Sequence, residues 1–369
     1  MTAETGNNEL QDCLLPEAVR FEDTVASVIK TCPPDTVFLA AVSGGADSMA
    51  MLSALHAIFS NAESSRLNVI HIEHGIRPAQ ESEGDAVFVG SFCKSNGINC
   101  HIVHITPGKI VSYAKKKGCG IEAAARFFRH RELLRHAKKL GSSSRILIAH
   151  SRNDALELSL MRVLRGAGPA GLSFMPVNSG RILRPLLCID RKSIIAYLNE
   201  KGIIWREDAT NTGDKFLRSR IRSRLIPLLN EYFSSWQTGL AGMAETQSLT
   251  AQFLEDEAKK RIVWQPLSCT ENSGIHSDLA NFFAQPQIIR EEALYRGINI
   301  CSLNYCESGS KIRNKSIKRS VIRKFCGGLI TSADLGLIHI NLKDGNIVLR
   351  PKKSKFFERG KSVELVPET

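Results

Sequence analysis

Several features that mark common classes of protein are missing from this sequence of 369 residues. No stretch approaches the roughly 18 uninterrupted apolar residues of a membrane span, so we expect no membrane partner. The first twenty residues carry four acidic side chains and no apolar segment, which argues against a signal peptide. The ten cysteines include no CxxC pair, which argues against a zinc site or a disulfide framework. These absences predict a cytoplasmic protein with reduced thiols.

Basic residues are abundant. The formal net charge is +12, and the excess is concentrated near the end of the chain. Residues 301–369 contain 14 basic and 6 acidic side chains, an excess of +8. A positive balance of this size favours a polyanionic partner, above all a nucleic acid. The alternative is an ordinary solvated surface.

Strand-like and helix-like segments alternate through the first two thirds of the chain. Apolar runs rich in β-branched residues predict strands at 37–42, 67–72, 98–105 and 145–150. Segments with helical periodicity lie between them, at 48–59, 82–96, 121–140 and 154–165. This alternation predicts βαβ units and therefore a parallel sheet with right-handed crossovers.

The alternation fades after Pro227. One long helix is predicted over 238–261, and a hairpin is predicted around Lys343-Asp344-Gly345 between two short strands. We therefore predict an α/β fold, a Rossmann-like parallel sheet with helices on both faces, plus a smaller α+β C-terminal domain. The predicted divisions are an N-terminal extension and helix (1–34), a main domain (35–232) and the smaller domain (233–369).

The first predicted strand ends abruptly at the segment SGGADS, residues 43–48. Gly44 and Gly45 allow the backbone to approach a ligand closely, and the amides that open the next helix attract anions. Asp47 would repel phosphates unless a cation intervenes, which suggests Mg²⁺. A Walker loop is a poor alternative because no Gly-Lys-Ser/Thr follows. A plain turn, with Asp47 or Ser48 capping the helix, is the alternative.

SGGADS resembles the SGGxDS pyrophosphate loop of the PP-loop ATP pyrophosphatase superfamily, whose members adenylate an oxygen and release pyrophosphate. Further segments, in matching order, resemble the tRNA(Ile)-lysidine synthetase family within it: 71–85, 120–133, 149–175, 183–187, 207–211 and 218–229. The resemblance covers roughly residues 35–230 and is loose beyond them. Three positions depart from the family pattern, where Ser151, Asn153 and Ser219 stand in this chain.

The resemblance implies that 35–232 is a PP-loop ATP-binding catalytic domain and that 233–369 binds tRNA. The implied reaction uses ATP, Mg²⁺ and L-lysine to convert the wobble cytidine of an isoleucine tRNA with a CAU anticodon into lysidine. Cytosine O2 would attack the ATP α-phosphate and release pyrophosphate. The lysine amine would then displace AMP at C2.

The resemblance also implies roles for individual side chains. Asp154 and Glu157 are three residues apart, which places both carboxylates on one helix face. They would either bind and deprotonate the lysine ammonium or ligate the metal; both roles stay open. Arg126 and Arg222 are candidates for fork-like contacts to phosphate or to the lysine carboxylate. With Asp47, the metal ligand, these four complete the predicted catalytic set.

The predicted nucleotide-binding residues are the loop itself and two later groups: Ser43, Gly44, Gly45, Ala46, Asp47, Ser48, His74, Arg165, Gly166 and Gly168. The predicted tRNA-binding residues belong to the basic stretch 311–325: Lys315, Lys318, Arg319, Arg323 and Lys324. Plainer interpretations remain for several of the singled-out residues. They are a surface ion pair between Glu122 and Arg126, satisfied histidines at the core edge for His74 and His150, charge that complements a helix N-terminus for Asp154 and Glu157, a helix stop at the glycines, and a solvated face for the basic stretch.

Two other functions fit parts of the sequence. A tRNA thiolase can be built on the same loop, but such enzymes use paired cysteines, and Cys93, Cys100 and Cys119 are not paired in the sequence. A tRNA-binding paralogue without catalysis is suggested by Asn153 and Ser219. The sequence does not give the oligomeric state and leaves a homodimer open.

Overall fold

The computed structural model describes residues 17–59, 64–76, 79–207, 217–267, 274–304, 317–336 and 338–352. By their contacts, these residues form two compact units. The first contains the described residues up to 167 together with 174–244, and the second contains 168–173 together with those from 245 onward. None of the helices in these ranges has the length and apolar character needed to cross a membrane.

The first unit alternates helices and strands. Its helices are α1 Glu17–Ile29, α2 Ala46–Phe59, α3 Ala79–Ser95, α4 Lys109–Lys117, α5 Ile121–Lys139, α6 Arg152–Leu164 and, after the short α7 Pro169–Leu172 of the second unit, α8 Arg191–Glu200. A continuous helical segment follows, made of α9 Leu217–Arg220, a π-turn Ile221–Leu225 and α10 Ile226–Tyr232. Its strands are β1 Phe38–Ala41, β2 Leu67–Glu73, β3 Asn99–His104, β4 Arg145–Ile148, β5 Asn178–Ser179 and β6 Ile182–Leu183.

The described strands of this unit form one sheet in the order β3-β2-β1-β4-β6-β5. All neighbours are parallel except the β5–β6 hairpin at the edge. Successive strand residues point to opposite faces, and both faces are covered. Phe38 and Ala40 join a core that includes α1, α2 and α8, whereas Leu39 joins a core that includes α5. The predicted Rossmann-like sheet with helices on both faces is confirmed.

The strand order explains where a ligand site forms. From β1, the chain builds outward through β2 and β3, and it then returns to place β4 on the other side of β1. The connections that leave β1 and β4 therefore diverge at the carboxyl edge of the sheet and open a crevice between them. The segments 43–48 and 149–154 are these two connections.

The N-terminal helix is part of the first unit rather than a separate extension. Phe21 of α1 stacks on Tyr197 of α8 with ring centroids 4.1 Å apart. The Tyr197 hydroxyl is hydrogen-bonded to Glu22 at 3.1 Å and to Ser53 at 3.0 Å. Apolar burial thus fixes α1 to α2 and α8. The contacts also place the end of the unit after Ala244, twelve residues beyond the division predicted from the sequence.

The second unit is an α+β arrangement. Its elements are the end of α11 Trp236–Arg261, β7 Gln265–Pro266, β8 Ile275–Asp278, α12 Leu279–Ala284, α13 Gln287–Asn304, α14 Arg319–Cys326, β9 Ser332–Leu335, β10 Ile338–Lys343 and β11 Asn346–Pro351. The described strands form an antiparallel sheet in the order β7-β8-β11-β10-β9. The predicted hairpin is β10–β11, with Asp344 and Gly345 at φ 48° and 72° in its turn. Both residues adopt the left-handed conformation that two-residue hairpin loops require.

Candidate active site

The loop after β1 is held by its own serines. Gly44 has φ 91°, a conformation that L side chains rarely adopt. The Ser48 hydroxyl lies 3.1 Å from the Ser43 hydroxyl and donates to the Gly45 carbonyl at 2.9 Å. It also accepts from the Ser43 backbone N–H at 3.2 Å. Ser48 is buried, so it shapes the loop from within in addition to bordering the cavity.

A second segment supports the loop from outside. The Gly44 carbonyl accepts a hydrogen bond from the backbone N–H of Arg206 at 3.0 Å. The Arg206 guanidinium in turn lies 2.6 Å from the Asp85 carboxylate of α3. The loop is therefore bound to the chain beyond α8, which the sequence pattern did not indicate.

Asp154 and Glu157 share two arginine partners, which places them on one helix face as predicted. Glu157, whose side chain is 2% exposed, accepts from Arg218 Nε at 2.8 Å and from Arg222 Nε at 2.6 Å. Asp154 accepts from Arg218 and lies 3.7 Å from Arg222. The hydrogen bond with Glu157 raises the pKa of Arg222. We call these four side chains the carboxylate–arginine cluster.

Asp154 has an additional structural role at the start of α6. Its Oδ2 accepts from the Ser151 backbone N–H at 3.0 Å, and the two residues form a capping box. A capping box satisfies amides at the helix N-terminus that lack partners within the helix. The Ser151 departure from the family pattern thus supplies a helix cap, and the plainer interpretation of Asp154 as a residue of the helix start is also correct.

Asp47 pairs with Arg191 at the start of α8. The backbone N–H of Arg191 donates to the Asn153 side chain at 2.9 Å, so the Asn153 departure contributes to positioning this arginine. Burial raises the pKa of Asp47, and the charge of Arg191 lowers it in part. The net direction is upward, so the site favours the neutral acid slightly more than water does.

These groups surround a cavity of about 730 Å³ within the first unit. The predicted residues that line it are Ser43, Gly45, Ala46, Asp47, Ser48, His74, Asp154, Glu157 and Arg222. The remaining predictions in this unit lie elsewhere. Gly44 is behind the lining, Arg126 is exposed, and Arg165 and Gly166 are exposed beyond the end of α6.

Gly168 belongs to the second unit, where a Cβ at its position would lie 3.6 Å from the Arg319 guanidinium. Arg165, Gly166 and Gly168 are therefore not among the described residues that line the cavity. Their assignment to nucleotide binding stays a prediction from resemblance. Of the predicted tRNA-binding residues, Lys318, Arg319, Arg323 and Lys324 are exposed on or beside α14, and Lys315 is outside the described residues.

The cavity contains basic groups that the sequence motifs did not single out. Arg129, Arg191 and Arg206 line it, together with His150 and Trp205. Burial, followed by the charge of Arg126, lowers the pKa of Arg129. Among the described residues, the lining carries four arginines, counting Arg222, and five carboxylates: Asp47, Asp85, Asp154, Glu157 and Glu207. Its charges are therefore close to balanced, and a partly enclosed cavity of this volume suits a ligand of nucleotide size. Of Arg129, Arg191 and Arg206, Arg129 alone had a sequence signal, since it lies one helical turn after Arg126; His150 belongs to the segment 149–175 that carries the family resemblance.

The His150 side chain is neutral beside the carboxylate–arginine cluster. Burial lowers its pKa to about 4, although the Asp154 charge acts in the opposite direction. Arg184 Nε donates to His150 Nδ1 at 3.3 Å, a hydrogen bond that needs the unprotonated nitrogen. Arg184 and Arg129 also disfavour the imidazolium. His150 is thus an acceptor, and not a cation, near pH 7.

We expect the stability of the protein to fall as the pH decreases from about 6.5 to about 4. In that window the unfolded chain binds a proton at His150 and the folded chain does not, so acid favours unfolding. Urea unfolding at the two ends of the window measures the effect. His150→Gln should flatten the dependence, because glutamine offers an acceptor that does not titrate. An equally steep dependence in the variant would assign the effect to other groups.

The donor set at Asp47 fits magnesium as a partial site. No group of three or more His, Cys, Asp or Glu side chains among the described residues is placed to hold a metal ion. Magnesium, however, is usually bound by one or two carboxylates, with waters and substrate phosphates completing the octahedron. Asp47 lies at the cavity wall, and among the described residues its ion pair is with the exposed Arg191, so it fits that role. Asp154 and Glu157 do not in this conformation, because arginines and the helix cap already engage their oxygens.

Comparison with known proteins identifies the class to which this site belongs. Residues 18–229, more than half of the chain, match the family described as the PP-loop domain. The chain therefore belongs to the PP-loop family. The segment SGGADS and the crevice between β1 and β4 lie within the matched residues.

The curated relatives are named tRNA(Ile)-lysidine synthase. The relative from Treponema denticola is 44% identical over 202 residues, which are 55% of this chain and 43% of that protein. The relative from Bacillus subtilis is 31% identical over 272 residues, which are 72% of this chain and 54% of that protein. The chain spans about half the length of the relatives it matches. Among solved structures, the U34-tRNA thiolase NcsA from Methanococcus maripaludis is 19% identical with a TM-score of 0.48, covering 61% of this chain and 79% of its own.

Proposed function

We propose that this protein catalyses the ATP-dependent ligation of L-lysine to C2 of the wobble cytidine in an isoleucine tRNA with a CAU anticodon. The observation that carries the proposal is the cavity in which the glycine loop faces the carboxylate–arginine cluster. The relatives named tRNA(Ile)-lysidine synthase support the choice of substrates. ATP would supply the adenylyl group, with AMP and pyrophosphate as products.

The glycine loop and the cavity arginines would bind the triphosphate. In the first step, cytosine O2 bonds to the α-phosphorus and the bond to pyrophosphate breaks. Amides at the start of α2 and the guanidinium groups of Arg129 and Arg191, which line the cavity, would stabilise the negative charge on the leaving pyrophosphate. Magnesium bound at Asp47 would add positive charge at the same phosphates.

The carboxylate–arginine cluster would act in the second step. The lysine Nζ bonds to C2, the C2–O2 bond breaks, and AMP leaves with that oxygen. The ammonium must lose a proton before it attacks, so a carboxylate nearby is useful. Glu157 and Asp154 are the carboxylates proposed for this role, and each is engaged by arginine. The lysine ammonium would compete with the more exposed guanidinium, that of Arg222.

The thiolase alternative receives no support from the cavity. The free cysteines of the described residues are Cys32, Cys93, Cys100, Cys119, Cys188, Cys301 and Cys326. None of them lines the cavity. A thiolase that uses a persulfide or a cluster needs a sulfur beside the bound base, and the part of the chain that the structure describes offers none there.

Mass spectrometry of the modified nucleoside tests the proposed function. Protein, ATP, Mg²⁺, isotopically labelled lysine and the isoleucine tRNA are incubated, and the nucleosides are analysed after digestion. We expect a cytidine whose mass increases by that of labelled lysine less one water. A reaction without lysine should give no such product. Consumption of ATP with a thiolated base, or no modified base at all, would contradict the proposal.

The second unit is proposed to bind tRNA through α14 and through Lys318, the residue that precedes this helix; both present exposed basic side chains. Arg319 and Arg323 lie 3.9 and 3.6 Å from Glu291, so part of their charge is already balanced. Lys318 and Lys324 should therefore contribute more to phosphate binding. We expect Lys318→Gln/Lys324→Gln to raise the KM for tRNA and to make the salt slope shallower by about 0.7–0.9 per lost contact.

The KM for ATP should be unchanged in that variant, because the glycine loop is in the other unit. Arg319→Gln/Arg323→Gln is the matched double substitution on the same helix, and it should have the smaller effect on the slope. A salt slope equal to that of the unaltered protein in both variants would mean that α14 is a solvated face.

A further inference from the structure

The helical segment α9–π-turn–α10 has two faces with different chemistry. Arg218, Arg222 and Ile226 follow one another at intervals of four residues. Arg218 and Arg222 bind Glu157, and Arg222 and Ile226 line the cavity. This stripe is the inner face, and it makes the segment one wall of the cavity.

A second stripe is offset from the first by two residues: Arg220, Arg224, Leu228 and Tyr232. Two residues correspond to about 200° around a helix, so this stripe lies opposite the cavity. All four residues are exposed; Leu228 is 52% and Tyr232 67% exposed. We call it the outer face. A leucine and a tyrosine this exposed beside two arginines form a contiguous surface, unlike a single surface apolar residue.

The π-turn Ile221–Leu225 keeps this surface together. In a regular α-helix, side chains four residues apart drift by about 40° per step. A π-turn has i→i+5 hydrogen bonds and turns less per residue, which reduces that drift. Arg220 directly precedes the turn and Arg224 lies within it, so they stay closer to the line of Leu228 and Tyr232 than a regular helix would allow. Such turns are frequent at functional sites.

We propose that the outer face binds the single-stranded RNA next to the nucleotide that enters the cavity. Guanidinium groups at Arg220 and Arg224 match consecutive phosphates, and the Tyr232 ring can stack on an unpaired base. An RNA strand that places one base in the cavity must continue across one of the cavity walls, and the α9–α10 segment is one such wall. The inference rests on the proposed function, since it assumes an RNA substrate.

Charge favours RNA over a second copy of this chain as the occupant. Two copies joined through this face would bring four guanidinium groups together between chains that each carry +12. A polyanion instead gains from both arginines and from the net charge. The exposed aromatic ring adds sequence-tolerant stacking, which suits the unpaired bases of a loop better than a base-paired helix.

Fluorescence anisotropy with a short RNA hairpin carrying a CAU loop tests the two arginines. For Arg220→Gln/Arg224→Gln we expect affinity to fall at least about tenfold at low salt and the salt slope to become shallower by about 1.4–1.8. The matched control is Lys115→Gln/Lys116→Gln on α4, which removes the same charge from another exposed surface of the first unit. Equal losses in the two double variants would overturn the proposal.

Tyr232 gives a second, charge-independent readout. Tyr232→Ala should lower affinity roughly five- to a hundredfold with the salt slope unchanged, and Tyr232→Phe should retain the affinity of the unaltered protein. Circular dichroism and ATP affinity, unchanged in each variant, establish that the fold and the loop are intact. Full affinity in Tyr232→Ala would overturn the stacking contact.

Two further outcomes separate this inference from the proposed function. If the protein makes lysidine and the outer-face variants do so with unchanged KM for tRNA, the outer face is not the RNA surface, and the function stands. If no lysidine forms but the hairpin binds through these residues, the surface stands and the function fails. Sedimentation completes the test: a dimer that Tyr232→Ala dissociates would make this face a contact between copies and overturn the proposal.

Discussion

Glu157→Gln is expected to lower the rate of nucleoside modification at least about a hundredfold, the lower end of what a positioned acid or base contributes. The side chain keeps its shape but loses the charge that Arg218 and Arg222 hold and that the lysine ammonium would need. The folded state should also lose about 1–3 kcal/mol, because hydrogen bonds to a buried charged group are weakened. Single-turnover rates and urea unfolding, measured on the same preparation, give both quantities.

The chain offers a matched control in Glu132 of α5. Its side chain is 9% exposed and bridges Arg131 and Arg135 at 2.8 Å each, much as Glu157 bridges its two arginines, and it does not line the cavity. Glu132→Gln should therefore lose a similar stability and keep its activity. If activity falls in proportion to stability in both variants, the role of Glu157 is structural.

Asp47→Asn is expected to abolish turnover, a loss of at least about a hundredfold by the usual scale of electrostatic stabilisation, while the fold stays intact. The change removes the proposed magnesium ligand from the loop. Burial raises the pKa of Asp47, so the folded protein binds this proton more tightly than the unfolded chain. Stability from this group is greatest at low pH and decreases as the pH rises through the window above 3.8.

The Asp47→Asn variant should therefore unfold no more easily than the unaltered protein near pH 7, and its stability should lack that dependence on pH. Magnesium titration of the activity distinguishes a ligand from a partner of Arg191. Arg191→Gln removes a guanidinium that is proposed to contact the leaving pyrophosphate, so its rate should fall, but it leaves the carboxylate in place and should retain the magnesium response of the unaltered protein. A magnesium response lost equally in Asp47→Asn and Arg191→Gln would show that the ion pair, and not a metal, is what the loop requires.

Local pattern was sufficient for the first four strands of the first unit. The predicted strands 37–42, 67–72, 98–105 and 145–150 correspond to β1 to β4, because the strands of a parallel sheet are rich in apolar and β-branched residues. The hairpin at Lys343-Asp344-Gly345 was equally readable, because its turn needs residues that accept positive φ. The division between the units was not readable, because α11 continues through it without a break in periodicity.

The sequence predicted those parts of the site that lie within single elements, but not the contacts between them. The loop 43–48 and the pair Asp154 and Glu157 follow from spacing within single elements. Their partners do not, because Arg218 and Arg222 are 61 and 65 residues from Glu157 in the chain. Arg191 is 144 residues from Asp47. No periodicity of the sequence links positions so far apart.

The sequence by itself determined which residue types face the carboxyl edge of the sheet: a glycine loop after β1 and two carboxylates on the helix after β4. Each depends on hydrogen bonds and periodicity within a few residues. Only the tertiary structure decided that these carboxylates are bound by arginine, that Asp47 faces Arg191, and that Tyr232 stays exposed. Those outcomes depend on how α8 and the α9–α10 segment pack across the crevice, where burial and charge pairing act between distant parts of the chain.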